Sequence, residues 1–383
     1  MPKLLTIAAL ILCSTLAQAA FKPPAPDRSE VYLLTAGLGA AIYARYGHTI
    51  LQVSAPNRDY YFNWGIFDYR DPVAFGFVFF KGILTYKLGI DSWRKTKTIY
   101  QRQNRWLIRN KINLTPNQKQ TLYQILQTNL RPENIEYSYQ YFYNNCSTIV
   151  RDYLDRVLHG SVKARTADAP IAMTFRHYVR DNLNYPAWIS FGLEVLMNGR
   201  IDVQLHQWEE MFYPIKLQEH LRNLTAVDDR GQPTAIPLLG ADESLLQGVN
   251  FPSSSVQLVV VVPSIMLLLL FLALLLYKYI SPRWVIGVLL IIAGVGGGVI
   301  GILMLVSWLH SEHLDLHHNL NLLQFMPTDL LVLPSIGMAL LLRRPRFLHR
   351  VLRPLAYVHL GAFIVMLVIA CVYGVIGVEW QAT

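Results

Sequence analysis

The chain has 383 residues, enough for one sizeable domain and a membrane part. Hydrophobic residues make up 53% and charged residues only 15%, a balance that favours a membrane protein. The net charge of +9 is too weak and too scattered to indicate a nucleic-acid partner, and it suits contact with an anionic membrane surface.

Residues 1–19 have the pattern of a secretory signal peptide. Lys3 precedes an apolar run from Leu4 to Leu16, and Ala17-Gln18-Ala19 is a small-residue cleavage site. The apolar run is too short for an ordinary membrane span, although an uncleaved anchor is the alternative. The sequence therefore predicts export of the residues that follow.

Residues 20–227 are predicted to form the exported domain, and patterns of capping and alternation indicate several of its elements. Thr115-Pro116-Asn117-Gln118 offers a cap hydroxyl, a proline at the first helical position and a glutamine three residues on. The predicted elements are two strands within residues 48–67 joined by a turn at Pro56–Asp59, a helix from Thr115 to about Leu130, a strand over Glu136–Tyr143, and a helix from about Cys146 to Leu158 that ends at Gly160.

The rest of the chain is predicted to be a linker followed by a membrane region. Gly, Pro, Ser and Asp are frequent over residues 228–255, which is typical of a linker. Apolar runs then predict four spans within residues 256–383, at about 256–280, 284–309, 330–342 and 355–378. Basic residues flank the first and third connections and are absent from the second, so the loop at about 310–329 is predicted to lie on the exported side.

Cys146 is the only cysteine of the predicted exported domain. Exported proteins usually pair their cysteines, so a single one indicates a thiol kept for chemistry, with an inert buried residue as the alternative. Its place at the start of a helix predicts a lowered thiol pKa and backbone N–H groups able to hold an oxyanion. His48, at the start of a strand, is the histidine best placed to serve as its base.

A third side chain is expected to orient the imidazole. Pairing the two strands about their turn puts Asn63 on the same face as Gln52 and His48. Asp68 lies nearer to His48 along the partner strand, but on the other face unless a bulge at Gly65 intervenes. Asn63 is the preferred candidate and Asp68 the alternative.

These motifs resemble the Lnb-type bacterial lipoprotein N-acyltransferases. The resemblance rests on three motifs and covers most of residues 30–220: Arg45-Tyr46-Gly47-His48-Thr49, Asn63-Trp64-Gly65-Ile66-Phe67-Asp68, and Asn145-Cys146-Ser147-Thr148. The order of histidine and cysteine also resembles the lecithin–retinol acyltransferase superfamily. The resemblance implies an α+β fold, with a permuted papain-like exported domain followed by a four-helix transmembrane region.

The resemblance also implies a reaction and a location. The expected enzyme moves an acyl chain from a phospholipid, through a Cys146 thioester, to the N-terminal amine of a diacylated lipoprotein. It would act at the bilayer, in a bacterial inner membrane with its catalytic domain in the periplasm, without a cofactor. The substrate-binding positions implied by the resemblance are Tyr46, Asn145 and Ser147 in the domain, and His313, Asn319 and Asn321 in the second connection.

Two other classes of function fit the same sequence. A cysteine–histidine centre can release its product to water, so an amidopeptidase or lipid hydrolase is the rival enzyme. A non-enzymatic membrane sensor or assembly factor is the second rival. His310, His313, His317 and His318 match no strong ligand spacing, so no metal is expected.

Overall fold

A computed structural model of the chain describes residues 21–67, 85–183, 187–249 and 282–343, with single residues or short runs at 78–82 and 353–368. The predicted signal peptide, the first span and most of the fourth span lie outside the described residues. The chain divides into two compact units, residues 1–172 with 204–252 and residues 173–203 with 253–383. Each is described by itself.

The described part of the chain contains both strands and helices. The strands are β1 (Glu30–Ala36), β2 (His48–Ala55), β3 (Arg58–Ile66), β4 (Thr85–Asp91), β5 (Leu107–Lys111), β6 (Glu136–Ser138), β7 (Pro170–Thr174), β8 (Gln204–His206), β9 (Thr225–Val227), β10 (Pro233–Pro237) and β11 (Glu243–Leu246). The helices are α1 (Trp93–Arg102), α2 (Pro116–Asn129), α3 (Cys146–Val157), α4 (Ser161–Thr166), α5 (Phe175–Asn182), α6 (Ala187–Leu196), α7 (Gln207–Glu210), α8 (Pro214–Arg222), α9 (Pro282–His310) and α10 (Asp329–Leu341).

The first unit is built on a seven-stranded antiparallel sheet in the order β11-β5-β1-β2-β3-β4-β6. Side chains alternate between its faces, so Leu33 and Leu51 join a core with α2 and α3, while Leu34 and Ile50 join a smaller apolar cluster on the opposite face. Burying each such side chain contributes about 1.5–3 kcal/mol. The mixed fold of antiparallel sheet and helices agrees with the expected α+β class.

The helix predicted from its capping pattern is confirmed as α2. The Thr115 hydroxyl accepts from the Gln118 backbone N–H, and the Gln118 side chain accepts from the Thr115 backbone N–H. The strand predicted over Glu136–Tyr143 is wrong beyond Ser138. There the chain turns, since the Asn144 backbone N–H donates to the Gln140 carbonyl at 2.9 Å and its side chain donates to the Ser138 carbonyl at 2.7 Å.

The linker predicted at 228–255 is wrong for the part that the structure describes, because residues 228–249 belong to the first unit. Its turn residues connect short strands: the Asp228 carboxylate accepts from the Arg230 and Gln232 backbone N–H groups. After them, β11 becomes the edge strand of the main sheet by pairing with β5. A bidentate ion pair between Arg109 and Glu243 joins these two strands.

The second unit gathers residues 173–203, which the sequence placed in the exported domain, with the C-terminal helices. Arg176 is buried and forms ion pairs with Glu194 and Asp202. The Asn319 side chain donates to the carbonyls of Val195 and Leu196, at 2.9 Å each. The Arg176 ion pairs hold residues 173–203 together, and the Asn319 contacts join this segment to the C-terminal part of the chain.

Two of the four predicted spans correspond to described helices. The span at 284–309 matches α9, and the one at 330–342 matches α10, which is apolar but short. Within the described residues α9 is the one helix with the length and apolar composition to cross a membrane. A Cβ at Gly294 or Gly298 would collide with α10, so these glycines permit the close packing of the two helices. The four-span arrangement stays a prediction.

Candidate active site

Cys146 is the first residue of α3, as predicted, and the preceding Asn145 caps the helix. The Asn145 Oδ1 accepts from the backbone N–H groups of Ser147 and Thr148, at 2.8 and 3.0 Å. Its Nδ2 donates to the carbonyls of Tyr141 and Phe212, at 2.9 and 3.0 Å. The amide of Asn145 is therefore fully used in fixing where α3 begins, and with it the position of the thiol.

The Asn145 cap reduces the number of backbone N–H groups available to hold an oxyanion. Of the first three backbone N–H groups of α3, those of Ser147 and Thr148 already donate to Asn145. The N–H of Cys146 is not used by the cap, so it is the oxyanion donor that this helix start offers.

The position of His48 follows from the sheet. It begins β2 and pairs with Ala36 of β1. Gly47, just before it, has a φ of +81°, and a Cβ there would lie 2.5 Å from the Ala36 carbonyl oxygen, so only glycine brings the chain into the strand at this point. The next residue, Thr49, hydrogen-bonds to Ser147 of α3 through their hydroxyls at 2.8 Å. This contact joins the start of β2 to the start of α3 and sets His48 beside Cys146.

Cys146 and His48 each favour the charged form of the other. Burial works to raise the pKa of the Cys146 thiol, but attraction to His48 and hydrogen bonds from His48, the Thr49 backbone N–H and Ser147 outweigh it, so the pKa is lowered. Burial likewise works to lower the pKa of His48, and the charge on Arg105 acts in the same direction. The charge on Cys146 and hydrogen bonds to Cys146 and Asn63 outweigh both, so the pKa of His48 is raised.

Asn63 orients the imidazole, as preferred from the sequence. Its Oδ1 lies 2.6 Å from Nε2 of His48, which leaves Nδ1 as the ring nitrogen for the thiol. The strands pair two residues away from the predicted register, with Gln52 opposite Tyr61 instead of Asn63. A shift of two residues preserves the face of each side chain, and the predicted neighbours remain neighbours.

The orientation of Asn63 is itself fixed by a buried carboxylate that the sequence reasoning missed. Nδ2 of Asn63 donates to Oδ2 of Asp91 at 3.0 Å, and Lys95 pairs with the other carboxylate oxygen at 2.5 Å. With Nδ2 turned to Asp91, Oδ1 must face the histidine. No local pattern in the sequence brings Asp91 to Asn63, because the pairing of β3 with β4 creates the contact.

The alternative orienting residue, Asp68, lies outside the described residues. Asp68 could face His48 only with a bulge at Gly65, and an irregularity is present there. The pairing of β3 with β4 shifts between Trp64 and Ile66, and Gly65 has a φ of +106°. A Cβ at Gly65 would lie 3.6 Å from Cε1 of His48, so Gly65 faces the imidazole across the strand pair.

Several predicted substrate-binding side chains lie inside the protein. Ser147 has no exposed surface and Asn145 is 6% exposed. Their described hydrogen bonds position the site, and a contact with substrate stays a prediction. Tyr46 is buried against Tyr141 and Phe212, with ring centroids 4.9 and 5.8 Å apart.

The three positions predicted in the second connection lie in the second unit. Asn319 and Asn321 are buried and donate to backbone carbonyls of α6, and His313 is half-buried at the start of a 3₁₀ turn. These hydrogen bonds fix the connection, and a contact with substrate stays a prediction. In the described part of the chain, no group of three or more potential metal ligands is present. The expectation of no metal and no cofactor is untested by this.

An aromatic cluster borders the thiol, and no motif in the sequence marked it. Phe67 stacks on Tyr86 with ring centroids 4.7 Å apart, and Tyr86 lies 4.3 Å from Tyr139. Burial, followed by the negative charge on Cys146, raises the pKa of Tyr86, so its hydroxyl stays neutral beside the thiolate. The cluster of Phe67, Tyr86 and Tyr139 gives the nucleophile a largely apolar flank.

Residues 20–181 match the family model of the Lnb N-terminal periplasmic domain. The chain carries an Lnb domain. The resemblance inferred from the motifs is thereby confirmed for this part of the chain, which includes Cys146, His48, Asn63 and Asp91. A periplasmic domain also agrees with the predicted export. No curated protein and no solved structure matched the chain.

Alkylation of Cys146 by iodoacetamide is expected to stay fast at pH values below the usual pKa of a thiol. His48 causes most of the lowering, so His48→Gln is expected to move the midpoint of the rate profile to higher pH. Rates are measured by mass spectrometry of the tryptic peptide. His159→Asn is the control, because this histidine is exposed and its left-handed φ of 57° suits asparagine. Equal midpoints in the wild type and His48→Gln would contradict the pairing of Cys146 with His48.

Proposed function

We propose that this protein is a thiol-dependent acyltransferase that moves a fatty acyl chain from a membrane phospholipid to the N-terminal amine of a diacylglyceryl-cysteine lipoprotein. The observation that carries the proposal is the array of Cys146, His48 and Asn63 at the start of α3, within the Lnb domain. A thiolate held by an oriented imidazole is the arrangement that covalent acyl transfer requires.

In the first step the Cys146 thiolate attacks the carbonyl carbon of a phospholipid ester. A C–S bond forms, and the oxygen of the tetrahedral intermediate is held by the Cys146 backbone N–H. The ester C–O bond then breaks, and the glycerol oxygen leaves with the proton of the His48 imidazolium. The products are a thioester on Cys146 and a lysophospholipid.

In the second step the free amine of the diacylated lipoprotein attacks the thioester carbonyl. A C–N bond forms while His48 accepts a proton from the amine, and the C–S bond breaks to return the thiolate. An amide has replaced an ester, and no atom changes its oxidation state. Asn63 and Asp91 keep the imidazole in one orientation through both steps.

Three features support a lipid substrate at a membrane. The Lnb domain itself supports a role in lipoprotein modification, the aromatic cluster gives an acyl chain an apolar surface beside the thiol, and α9 supplies an apolar helix of membrane-spanning length. We assign the protein to a bacterial inner membrane with its catalytic domain in the periplasm and four spans. The exported domain would be a permuted papain-like fold, in which the histidine strand precedes the cysteine helix.

The rival activities differ in what receives the acyl group. A lipid hydrolase or amidopeptidase would pass it to water, whereas a transferase keeps water from the thioester until an amine arrives. The apolar flank of Cys146 favours a protected thioester. A non-enzymatic sensor or assembly factor would not need an oriented imidazole beside the thiol.

Incubation of the purified full-length protein with phospholipid alone is expected to produce a thioester on Cys146. It would appear as a mass increase of one acyl chain on the intact protein, removable by hydroxylamine. Addition of a diacylated lipopeptide with a free α-amine is expected to remove this mass and yield a triacylated peptide. Both species are followed by mass spectrometry.

An N-acetylated lipopeptide is the matched control, because its α-nitrogen lacks an available lone pair and should leave the thioester intact. Release of fatty acid at the same rate with and without lipopeptide would identify a lipid hydrolase. Absence of any acyl-enzyme and of any release would favour the non-enzymatic alternative.

A further inference from the structure

Arg105 is a buried cation held between the end of α1 and the start of β5. It is 4% exposed, and its guanidinium lies over the ring of Tyr100, 4.9 Å from the ring centroid. Nε donates to the Gly37 carbonyl at 2.6 Å, and Nη1 donates to the side chain of Gln103 at 3.0 Å. Nη2 is buried and has no hydrogen-bond partner among the residues that the structure describes. The guanidinium is thus fixed in place with donor capacity left over.

The charge of Arg105 also lacks a carboxylate partner within the described residues. Its two hydrogen-bond acceptors are a carbonyl and an amide oxygen, both neutral. Other basic residues of this segment differ, since Lys95 pairs with Asp91 and Arg109 with Glu243. The negative charge on Cys146 acts on the Arg105 guanidinium without a direct ion pair. A buried guanidinium with no carboxylate partner is costly, so the side chain is suited to meet an anion supplied by a ligand.

The pairing of β1 with β2 places Arg105 near His48. Gly37, whose carbonyl holds the guanidinium, directly follows Ala36, the residue that pairs with His48. A Cβ at Gly39 would lie 2.9 Å from Cδ of Arg105, so the connection between β1 and β2 leaves room for this side chain. The effect of Arg105 on the pKa of His48 agrees with this proximity.

We propose that Arg105 binds the phosphodiester of the phospholipid donor through Nη2. The proposal rests on the acyltransferase function and adds the residue that recognises the donor. Guanidinium is the side-chain group best matched to phosphate oxygens, and the phosphate of a phospholipid is joined to the same glycerol as the attacked ester. One charge contact beside His48 therefore sets the ester near Cys146.

Binding of the phosphate requires access to a covered Nη2. The connection over residues 37–47 borders Arg105, with Gly39 hydrogen-bonded to Ala44 across it, and it carries Ile42 and Tyr43, which are 41% and 51% exposed. We expect donor binding to displace this connection from the guanidinium. Its exposed apolar tip suits contact with the bilayer from which the donor comes.

The first arm of the test does not depend on acyl transfer. Alkylation of Cys146 by anionic iodoacetate and by neutral iodoacetamide is compared in the full-length protein, with and without inorganic phosphate. In the wild type we expect a raised ratio of iodoacetate to iodoacetamide rates, and phosphate should lower it. Arg105→Gln is expected to lower the ratio at least fivefold and to remove the phosphate effect. Arg102→Gln, which removes an exposed charge three residues away, is the control.

The second arm distinguishes a lipid headgroup from free phosphate. Thioester formation on Cys146 is compared for phosphatidylglycerol and for diacylglycerol with the same chains, presented in the same detergent. Arg105→Gln is expected to slow loading from phosphatidylglycerol at least tenfold more than it slows loading from diacylglycerol, since any effect of the lost charge on His48 and Cys146 is common to both donors. Arg105→Lys keeps the positive charge but lacks the planar guanidinium with its paired donors. This variant should recover part of the lost loading rate from phosphatidylglycerol.

Each result bears on a different statement. An equal alkylation ratio in wild type and Arg105→Gln overturns the anion site, whether or not acyl transfer occurs. A ratio that depends on Arg105, together with equal loading from both lipids, overturns the headgroup assignment and leaves free phosphate as the ligand. An equal loss of loading from both lipids in Arg105→Gln means that Arg105 is merely structural, and this also overturns the proposal. Failure of every donor to load the wild type refutes the acyltransferase function and the headgroup assignment with it, and the alkylation arm still reports the anion site.

Discussion

Cys146→Ala is expected to abolish both thioester formation and N-acylation of a diacylated lipopeptide. Alanine leaves no atom able to form the covalent intermediate, so the activity should fall to the detection limit. The start of α3 does not depend on the sulfur, because Asn145 caps the helix through its own side chain. The variant should therefore fold and reach the membrane in normal amounts, as measured by its melting temperature and by immunoblotting of membranes.

Cys146→Ser supplies the matched comparison, since it keeps a nucleophilic atom at the same place. A hydroxyl is far less acidic than a thiol, and the surroundings that stabilise the Cys146 thiolate cannot ionise it at neutral pH. We expect this variant to be nearly as poor as Cys146→Ala. Substantial N-acylation by either variant, with normal melting temperature, would show that Cys146 has a structural role only.

Much of this site could be predicted because its members carry local signals. The four residues Asn145–Thr148 carry the capping pattern that predicts a helix start at Cys146. Side chains alternate between the two faces of a strand, so His48 and Asn63 share a face in the predicted register and also in one shifted by two residues. The two-residue error in pairing shows this well. Hairpin register depends on the turn geometry, which the sequence around Pro56 does not determine. Because the predicted register was wrong by two residues, each side chain was still predicted on the correct face.

The remaining contacts depend on pairings between distant segments. Asp91 reaches Asn63 only because β4 pairs with β3, and Arg105 reaches the site because Gly37 accepts from it. Glycine, proline and aspartate over residues 228–246 suggested a linker, but these residue types suit turns between short strands equally well. Tertiary pairing of β11 with β5 decides between the two, and no local pattern encodes it.

His48→Gln is the second large effect that we expect, with thioester formation slowed on the order of 10²–10⁴-fold. Glutamine retains polarity and occupies similar space, but it cannot carry the proton that the leaving glycerol oxygen requires. It also removes the attraction that lowers the pKa of Cys146, so a smaller fraction of the thiol is ionised. Both losses slow thioester formation. Raising the pH should restore part of the rate, because deprotonation of the thiol then no longer needs the imidazolium. The lost proton donor is not restored, so the recovery should be incomplete.

Variants along the hydrogen-bond chain behind the imidazole test whether His48 acts as an oriented base or merely as a nearby charge. Asn63→Ala removes the acceptor at 2.6 Å from Nε2, and Asp91→Asn keeps the shape of the group that fixes Asn63 while removing its charge. If orientation matters, loading should decline progressively from Asp91→Asn to Asn63→Ala to His48→Gln. The pH midpoint of Cys146 alkylation should shift most in His48→Gln, because the imidazole of His48 provides most of the lowering of the thiol pKa.

Single-turnover loading and alkylation are measured on the same preparations, and only variants with an unchanged melting temperature are compared. If Asn63→Ala loads as fast as the wild type, the imidazole needs no partner at Nε2, and the side chains of Asn63 and Asp91 serve the stability of the β3–β4 pair alone.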